Sequence, residues 1–374
     1  MDSPTDLQQE IKKYYDRYIR QITTASGYSQ LLELHEAMPD YIRLCFIDHN
    51  VAGSIACKEI SHWHDMIVQR ILFLAKHEIQ QRIGYQLPSF SWMHFGSGGR
   101  EEPTFWTDQD NGIVYTYPRY KDPQVIDDWF ARFADMVVMG LEHVGYPLCE
   151  GNVMAINPRW RGSMESWKRN IHEWAKKPIS KHHRFLMIAA DLRHVFGDER
   201  LAEVVRHTLI QSCANYPEVL KKAAEFILHQ KVPLGLFNQW YVERYGEHTG
   251  MIQLKQSGYM QLVGVLRVMS LLFGIHLTSS SGRLKQSVKR CHFLSKRYED
   301  IQNSIDCFLS LRLEHHVKRR ESRLKPEDYI KPDQLDPKLE KELKKAVKCA
   351  HWMQHECIKY INKKSDMITK GEAE

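Results

Sequence analysis

Two aspartates, Asp108 and Asp110, sit eleven and thirteen residues after a serine in a stretch of small residues, Gly96-Ser97-Gly98-Gly99. Residues two apart on an extended strand point to the same side. The two carboxylates would then lie side by side, as a divalent cation requires. The small residues before them leave backbone N–H groups open to a phosphate. Together the two halves suggest phosphoryl chemistry on a nucleotide, in which Mg2+, or Mn2+ in its place, neutralises a triphosphate and polarises the attacking oxygen.

Other residues could join such a site. Asp191 ends the apolar run 185–190 and is a candidate third carboxylate. The alternatives are a pairing with Arg193 at a strand end, or a helix cap. Ser97 could reach the β or γ phosphate through its hydroxyl and N–H, or be a plain turn serine. Arg100 could meet a triphosphate, or bracket the loop by pairing with Glu102. Lys255, after Met251-Ile252-Gln253-Leu254 and before Gly258, could reach phosphate or stay solvated. The histidine pairs His62/His64, His182/His183 and His315/His316 lack partners at a metal-binding spacing. Trp160, Trp167 and Trp174, seven apart, fit one packed helix face better than a base-stacking platform.

The elements that must hold these residues can be read from periodicity. Residues 1–88 read as helices, with one apolar face of Leu31, Leu34, Met38, Ile42 and Phe46 and another over 60–83. Residues 91–95 and 112–117 read as strands of one sheet, and 127–141 as an amphipathic helix. Segment 147–156 reads as a further strand and 161–176 as a helix. Segment 185–193 could be strand or helix, since Leu, Met and Ala permit either. Its polar end and Gly197 favour the strand. From about residue 200 the pattern is almost wholly helical, with helices at 203–214, 217–230, 259–276, 287–316 and 338–360. The domains expected are a helical region over 1–88, a sheet domain over 89–200, an all-helical domain over 201–362 and a polar tail over 363–374.

Composition narrows the class. The 374 residues are 43% hydrophobic and 26% charged, ordinary for a soluble protein. A net charge of +6 with interspersed signs is too mild to argue for nucleic acid. The 8 cysteines are scattered without a CxxC pair, as buried thiols in a reducing compartment would be. The sequence starts Met-Asp-Ser-Pro with a polar pattern, which argues against a signal peptide. The longest apolar run, 262–277, is broken by Arg267 and His276 and is too short to span a bilayer. The expectation is a cytoplasmic protein with no membrane contact.

The motif Gly-Ser-x-Gly-Arg-x-Glu, taken over 96–102, followed by Thr-Asp-Gln-Asp-Asn over 107–111, resembles the nucleotidyltransferase-like domain related to PII-protein uridylyltransferases and glutamine synthetase adenylyltransferases. It is most similar to the largely uncharacterised bacterial branch in which this domain often follows CBS or cyclic-nucleotide-binding modules. The resemblance runs from roughly residue 60 to 360. It implies an α+β fold, a small mixed-sheet domain like that of DNA polymerase β flanked by an N-terminal helical region and a C-terminal all-helical domain. It implies that Gly96 and Ser97 bind phosphate and that Asp108 and Asp110 bind Mg2+. Asp191-Leu192-Arg193 with Gly197-Asp198 matches the family's Asp-x-Arg and Gly-Asp, which makes Asp191 the third metal-binding carboxylate and adds Arg193 to Arg100 and Lys255 as nucleotide-binding residues. Cys149, Gly151, Met154, Ala155, Asn157 and Trp160 match a shared block whose role the resemblance does not give. Relatives usually carry Asp two residues before the lysine, where Gln253 stands here. No CBS, cyclic-nucleotide, phosphohydrolase or ACT module is visible. The implied reaction is transfer of a nucleoside monophosphate from a nucleoside triphosphate to an acceptor hydroxyl, with a protein as acceptor by analogy and pyrophosphate released. A binding protein that senses the nucleotide without turning it over is the alternative. Base preference, acceptor and oligomeric state are left open.

Overall fold

In a computed structural model the chain is mostly helical around a small mixed sheet, with helical regions before and after it. The structure describes residues 4–177, 179–235 and 237–369. It divides into two compact units. The first comprises residues 1–51, 55–167 and 192–205, and the second 52–54, 168–191 and 206–374.

The first unit opens with helices α1 (Pro4–Thr24), α2 (Tyr28–Ile42) and α3 (Gly53–Ile83). The buried stripe of α3 is Ala56, Ile60, Trp63, Ile67, Ile71, Ala75 and Ile79, three or four apart as an amphipathic helix requires. Ser61 and His64 interrupt that apolar face and are also buried. Strand β1 (Phe90–His94) leads into a single helical turn, α4 (Gly96–Gly99), and β2 (Asn111–Tyr115) follows the loop after it. Helix α5 (Pro123–His143) starts cleanly because the Asp122 carboxylate accepts from Gln124 N–H at 2.8 Å and proline occupies its first position. Its buried face of Ile126, Phe130, Phe133, Val137 and Leu141 covers the sheet, with Tyr115 stacked on Phe130 at 4.1 Å.

Strand β3 is only Arg161–Ser163, followed by α6 (Met164–Lys176). The sheet order is β3-β2-β1-β4, with β4 spanning Arg193–Gly197. Strand β1 runs antiparallel to both β2 and β4, while β2 and β3 are parallel. Every residue of β2 is buried. Gly112 in that strand is obligatory, since a Cβ there would lie 2.7 Å from Trp160 O and 2.8 Å from the Phe95 ring.

The expected strands over 91–95 and 112–117 and the helix over 127–141 are therefore present, within a residue or a turn. Three expectations are corrected here. Residues 147–156 form turns, because Val153 O accepts from Asn111 N–H and Ala155 N–H donates to the Asn111 side chain, which spends those groups without a ladder. Segment 185–193 is not a strand. It is the second half of α7 (Ser180–Ala189) and a turn that carries Asp191, with β4 beginning only at Arg193. Trp160 likewise precedes β3 rather than sharing a helix face with Trp167, although their rings pack at 6.2 Å.

Helix α8 (Glu199–Asn215) follows β4, and the second unit is helical. Its centre is α10 (Met260–Leu272), buried continuously from Gln261 to Leu271. A helix apolar all round belongs inside a bundle, and α10 packs against α9 (Glu218–Leu228), α11 (Ser280–Ser287) and α14 (Pro337–Thr369). The expected helix over 287–316 is broken into α11, the short α12 (His292–Lys296) and α13 (Tyr298–Glu321). Two short strands, β5 (Ile252–Gln253) and β6 (Tyr329–Ile330), pair beside a π-helical turn at Lys255–Tyr259. No helix among the described residues is long and apolar enough to cross a membrane. Cys57, Cys213, Cys291, Cys349 and Cys357 are buried and form no disulfide.

Candidate metal and phosphate site

Asp108 and Asp110 lie in the extended segment just before β2 rather than within it. Alternation still holds there. Between them Gln109 points inward, fully hydrogen-bonded to Val138 O and Tyr146 O at 3.1 Å each, and its own N–H donates to Pro147 O. Phe95 N–H donates to Asp110 O at 2.9 Å and fixes the segment beside β1. A buried glutamine thus pins the backbone, and its two neighbours are turned to the other side.

The Asp108 and Asp110 carboxylates come together with the Cys149 thiol, one ligand atom from each lying within 4.8 Å of the others. Cys149 Sγ donates to Asp110 Oδ1 at 3.2 Å. Burial, then the charge of Asp110, pushes its thiol up to about 12, so it stays protonated. Magnesium takes oxygen ligands, commonly one or two carboxylates completed by water and phosphate. Two carboxylates with room for solvent on Asp108 fit that cation, and the thiol serves as a donor that holds Asp110 in place.

Gly96 explains why the motif needs glycine. Its φ is +54°, and a Cβ there would sit 2.0 Å from Asp110 Oδ2. The turn of α4 and the carboxylate are in direct contact. Ser97 Oγ lies 3.1 Å from Thr107 Oγ1, next to Asp108. A pocket open to solvent is lined by Asp108, Asp110, Thr107, Gly98, His94 and Tyr146, among others.

The pocket wall also carries two imidazoles, His64 and His94, with Asp65 beside them. His64 Nε2 is 3.0 Å from Thr104 O and Nδ1 is 2.8 Å from Tyr146 Oη. A carbonyl only accepts, so Nε2 carries the proton and the tyrosine hydroxyl donates to Nδ1. Burial pushes both His64 and His94 down to about 4, against the pull of Asp65. Both are neutral near pH 7, so neither competes with a cation for the aspartates.

The remaining expected site residues are placed as follows. Arg100 is buried and its Nε donates to Glu102 Oε2 at 2.7 Å, the bracket that its spacing allowed. Arg193 forms a bidentate pair with Asp65 and also donates to Gly98 O. Burial disfavours its charge, and the hydrogen bonds and charge of Asp65 outweigh that, raising its pKa. Asp191 belongs to the second unit and is fully buried. Arg267 Nε donates to its two oxygens at 3.0 and 3.1 Å with Nη2 joining, and Arg283 Nη1 donates to Oδ1 at 2.9 Å. Lys255, also in the second unit, starts the π-helical turn. Gln253 accepts there from the N–H of Gln256, a capping task that needs an oxygen but no charge.

Against this geometry, two comparisons are informative. Residues 38–181 match the family model described as "Putative nucleotidyltransferase DUF294". Residues 38–181 carry a nucleotidyltransferase-like domain of the DUF294 family. Residues 217–357 match a second model, "Putative nucleotidyltransferase substrate binding domain". No curated protein matches the chain. The whole Gly–Ser turn, both aspartates and Cys149 fall inside the DUF294 match, whereas Lys255, Arg267 and Arg283 fall inside the second.

Asp65, His64, His94 and Cys149 were not singled out as site residues from sequence. The signal for one of them, His64, was present. Ser61 and His64 break the apolar face of α3, and a polar residue on a buried helix face calls for a partner.

Proposed function

We propose that the chain is a Mg2+-dependent nucleotidyltransferase, which moves a nucleoside monophosphate from a nucleoside triphosphate to an acceptor hydroxyl with release of pyrophosphate. The observation that carries this reading is the contact of the Asp108/Asp110 pair with the Gly96 turn. A phosphate seated at that turn is within reach of a cation on the aspartates, and the two requirements of phosphoryl transfer, charge neutralisation and positioning, meet at one point.

Asp108 and Asp110 would hold the cation, which when bound supplies charge neutralisation for the triphosphate. Ser97 orients the departing phosphates through its hydroxyl, steadied by Thr107. Cys149 holds Asp110 in its rotamer, and neutral His64 and His94 leave the negative potential of the pair undiminished. Asp191 has its oxygens engaged by two guanidiniums, so in this reading it neutralises Arg267 and Arg283 and the cation rests on Asp108 and Asp110. The family descriptions support transferase chemistry and a substrate-binding helical domain. A protein hydroxyl is the acceptor we favour, by analogy with the uridylyl- and adenylyltransferases that the motif resembles.

The test is incorporation of label from α-labelled ATP, UTP, GTP and CTP with Mg2+ or Mn2+ in a cell lysate, comparing the native chain with Asp108→Asn/Asp110→Asn. A labelled band seen only with the native chain supports transfer, names the base and sizes the acceptor. Metal-dependent binding of a nucleotide without label or pyrophosphate release would favour the sensor instead.

A further inference from the structure

Arg193 stands opposite His94 in the β1–β4 ladder, and its side chain joins three elements of the first unit. Towards α3 it makes a two-pronged pair with Asp65, Nη1 to Oδ2 at 2.7 Å and Nη2 to Oδ1 at 2.9 Å. Towards α4 it donates to Gly98 O from Nε at 3.1 Å and from Nη2 at 2.7 Å. Nη2 also reaches Ser61 Oγ at 3.3 Å. His94 closes the group, its Nδ1 lying 3.6 Å from Asp65 Oδ1 and against Gly98, where a Cβ would come within 3.2 Å of it.

A guanidinium used on both edges in this way has fixed geometry. Its planar fork pre-organises the donors, and a carboxylate with two matched oxygens sets the plane. The only acceptor it holds on α4 is a main-chain carbonyl. Fixing that carbonyl fixes the peptide plane after Gly98, and with it the turn that rests on Asp110. The side-chain exposures of Arg193 and Asp65, 19% and 13%, leave little of either open to a ligand.

We propose that Arg193 and Asp65 form a positioning pair that locks the Gly96–Gly99 turn in register with Asp110, and that Arg193 acts through this turn rather than by touching the nucleotide. Asp65 thereby becomes a functional residue although it lies on a helix outside the motif. The consequence for transfer rests on the function proposed above, but the lock itself does not.

A direct-contact role and a positioning role make opposite forecasts for Asp65. If Arg193 served the nucleotide, Asp65→Asn would release it and leave binding unchanged or tighter. If the pair positions the turn, Asp65→Asn and Arg193→Lys each loosen it, and the double variant is no worse than the weaker single one.

The experiment has two readouts on the full chain. The first is amide hydrogen exchange over 98–102 without nucleotide. Both single variants are expected to exchange at least about tenfold faster there, with the central amides of β1 unchanged. The second is kcat and KM for transfer, or Kd for a nucleotide with Mn2+ if no transfer is seen. Asp65→Asn is expected to lower kcat/KM about tenfold, non-additively with Arg193→Lys. Unchanged exchange in Asp65→Asn, or tighter nucleotide binding, overturns the proposal. Should Asp65→Asn fail to fold, Arg193→Lys, which keeps the charge but loses the fork, must still speed exchange at the turn. A native chain that neither binds nor transfers nucleotide ends the function reading, and the exchange readout still judges the lock.

Discussion

Asp110 and Asp191 are both carboxylates largely withdrawn from solvent, and their surroundings are opposite. Asp191 receives donors from Arg267 and Arg283, whose charges outnumber its own. Arg206 adds to that surplus, its guanidinium lowered to about 10 by burial first and then by repulsion from Arg283. Asp110 has a second carboxylate and a thiol beside it, and the histidines lining the same pocket are neutral. One aspartate is already compensated within the fold. The other is held next to a like charge, an arrangement that costs stability until a cation arrives. Asp191 is fully buried and Asp110 only partly, yet the residue type is the same, and what separates a structural carboxylate from a candidate ligand is the kind of charge set beside it.

The sharpest way to break that comparison is to neutralise each in turn. Asp191→Asn should destabilise the second unit by about 3–5 kcal/mol, because it takes the carboxylate charge away from two buried guanidiniums. Asp108→Asn/Asp110→Asn should leave thermal stability unchanged or raised and abolish Mn2+ binding, read by titration. If Asp191→Asn instead melts normally and loses only turnover, Asp191 works in the reaction and the contrast fails.

Gly96→Ala tests the contact between the turn and the carboxylate. The new methyl would need a left-handed backbone and would push Asp110 aside. Mn2+ affinity should fall by roughly tenfold or more, about 1.4 kcal/mol or above, with a smaller change in melting temperature. Retained affinity would show that Asp110 has another position from which to bind.

These two regions also show what a sequence can carry. The Asp-Gln-Asp triplet, β1, β2 and α5 were legible because each depends on a local period, two for the strands and 3.6 for the helix. Segment 185–193 was not. Leu186, Met187, Ile188 and Ala189 suit either state, and the decision is made by Asp191, which must leave a regular element to meet Arg267 and Arg283 some eighty residues later in the chain. The role of the block from Cys149 to Trp160 was hidden for the same reason. It serves β2 through Val153 O, which accepts from Asn111 N–H, Ala155 N–H, which donates to the Asn111 side chain, and Trp160 O, which accepts from Ile113 N–H, none of which leaves a periodic trace. Asp65 and Cys149 are ordinary residues until the fold sets Arg193 and Asp110 against them.

A gentler probe uses the uncharged neighbours of the aspartate pair. His64 and His94 titrate at about 4 in the folded state and near 6.5 unfolded. Below pH 6.5 the unfolded chain takes up protons that the folded chain refuses. Their contribution to stability is therefore complete above that pH and lost as pH falls towards 4. The melting temperature should drop through this window, and His64→Gln with His94→Asn should flatten that part of the drop. An unchanged slope would mean that the two rings are already charged when folded.

The smallest effect belongs to Cys149. Removing the 3.2 Å donor to Asp110 in Cys149→Ala should weaken Mn2+ binding about two- to threefold, and Cys149→Ser should restore most of it. A loss as large as that of Asp110→Asn would make the sulfur a metal ligand in its own right.

Strand β4 returns to pair with β1 only after the chain has run through residues 168–191 of the second unit. During synthesis β1 therefore waits with one hydrogen-bonding edge open while those residues are made. A fragment ending at residue 181, where the first family match stops, would keep that edge open for good. An unpaired central strand is a template for the nearest extended chain, another copy included. The last short strand of the sheet thus acts as a seal against self-association, and it is the piece that a boundary drawn from the family match would cut away.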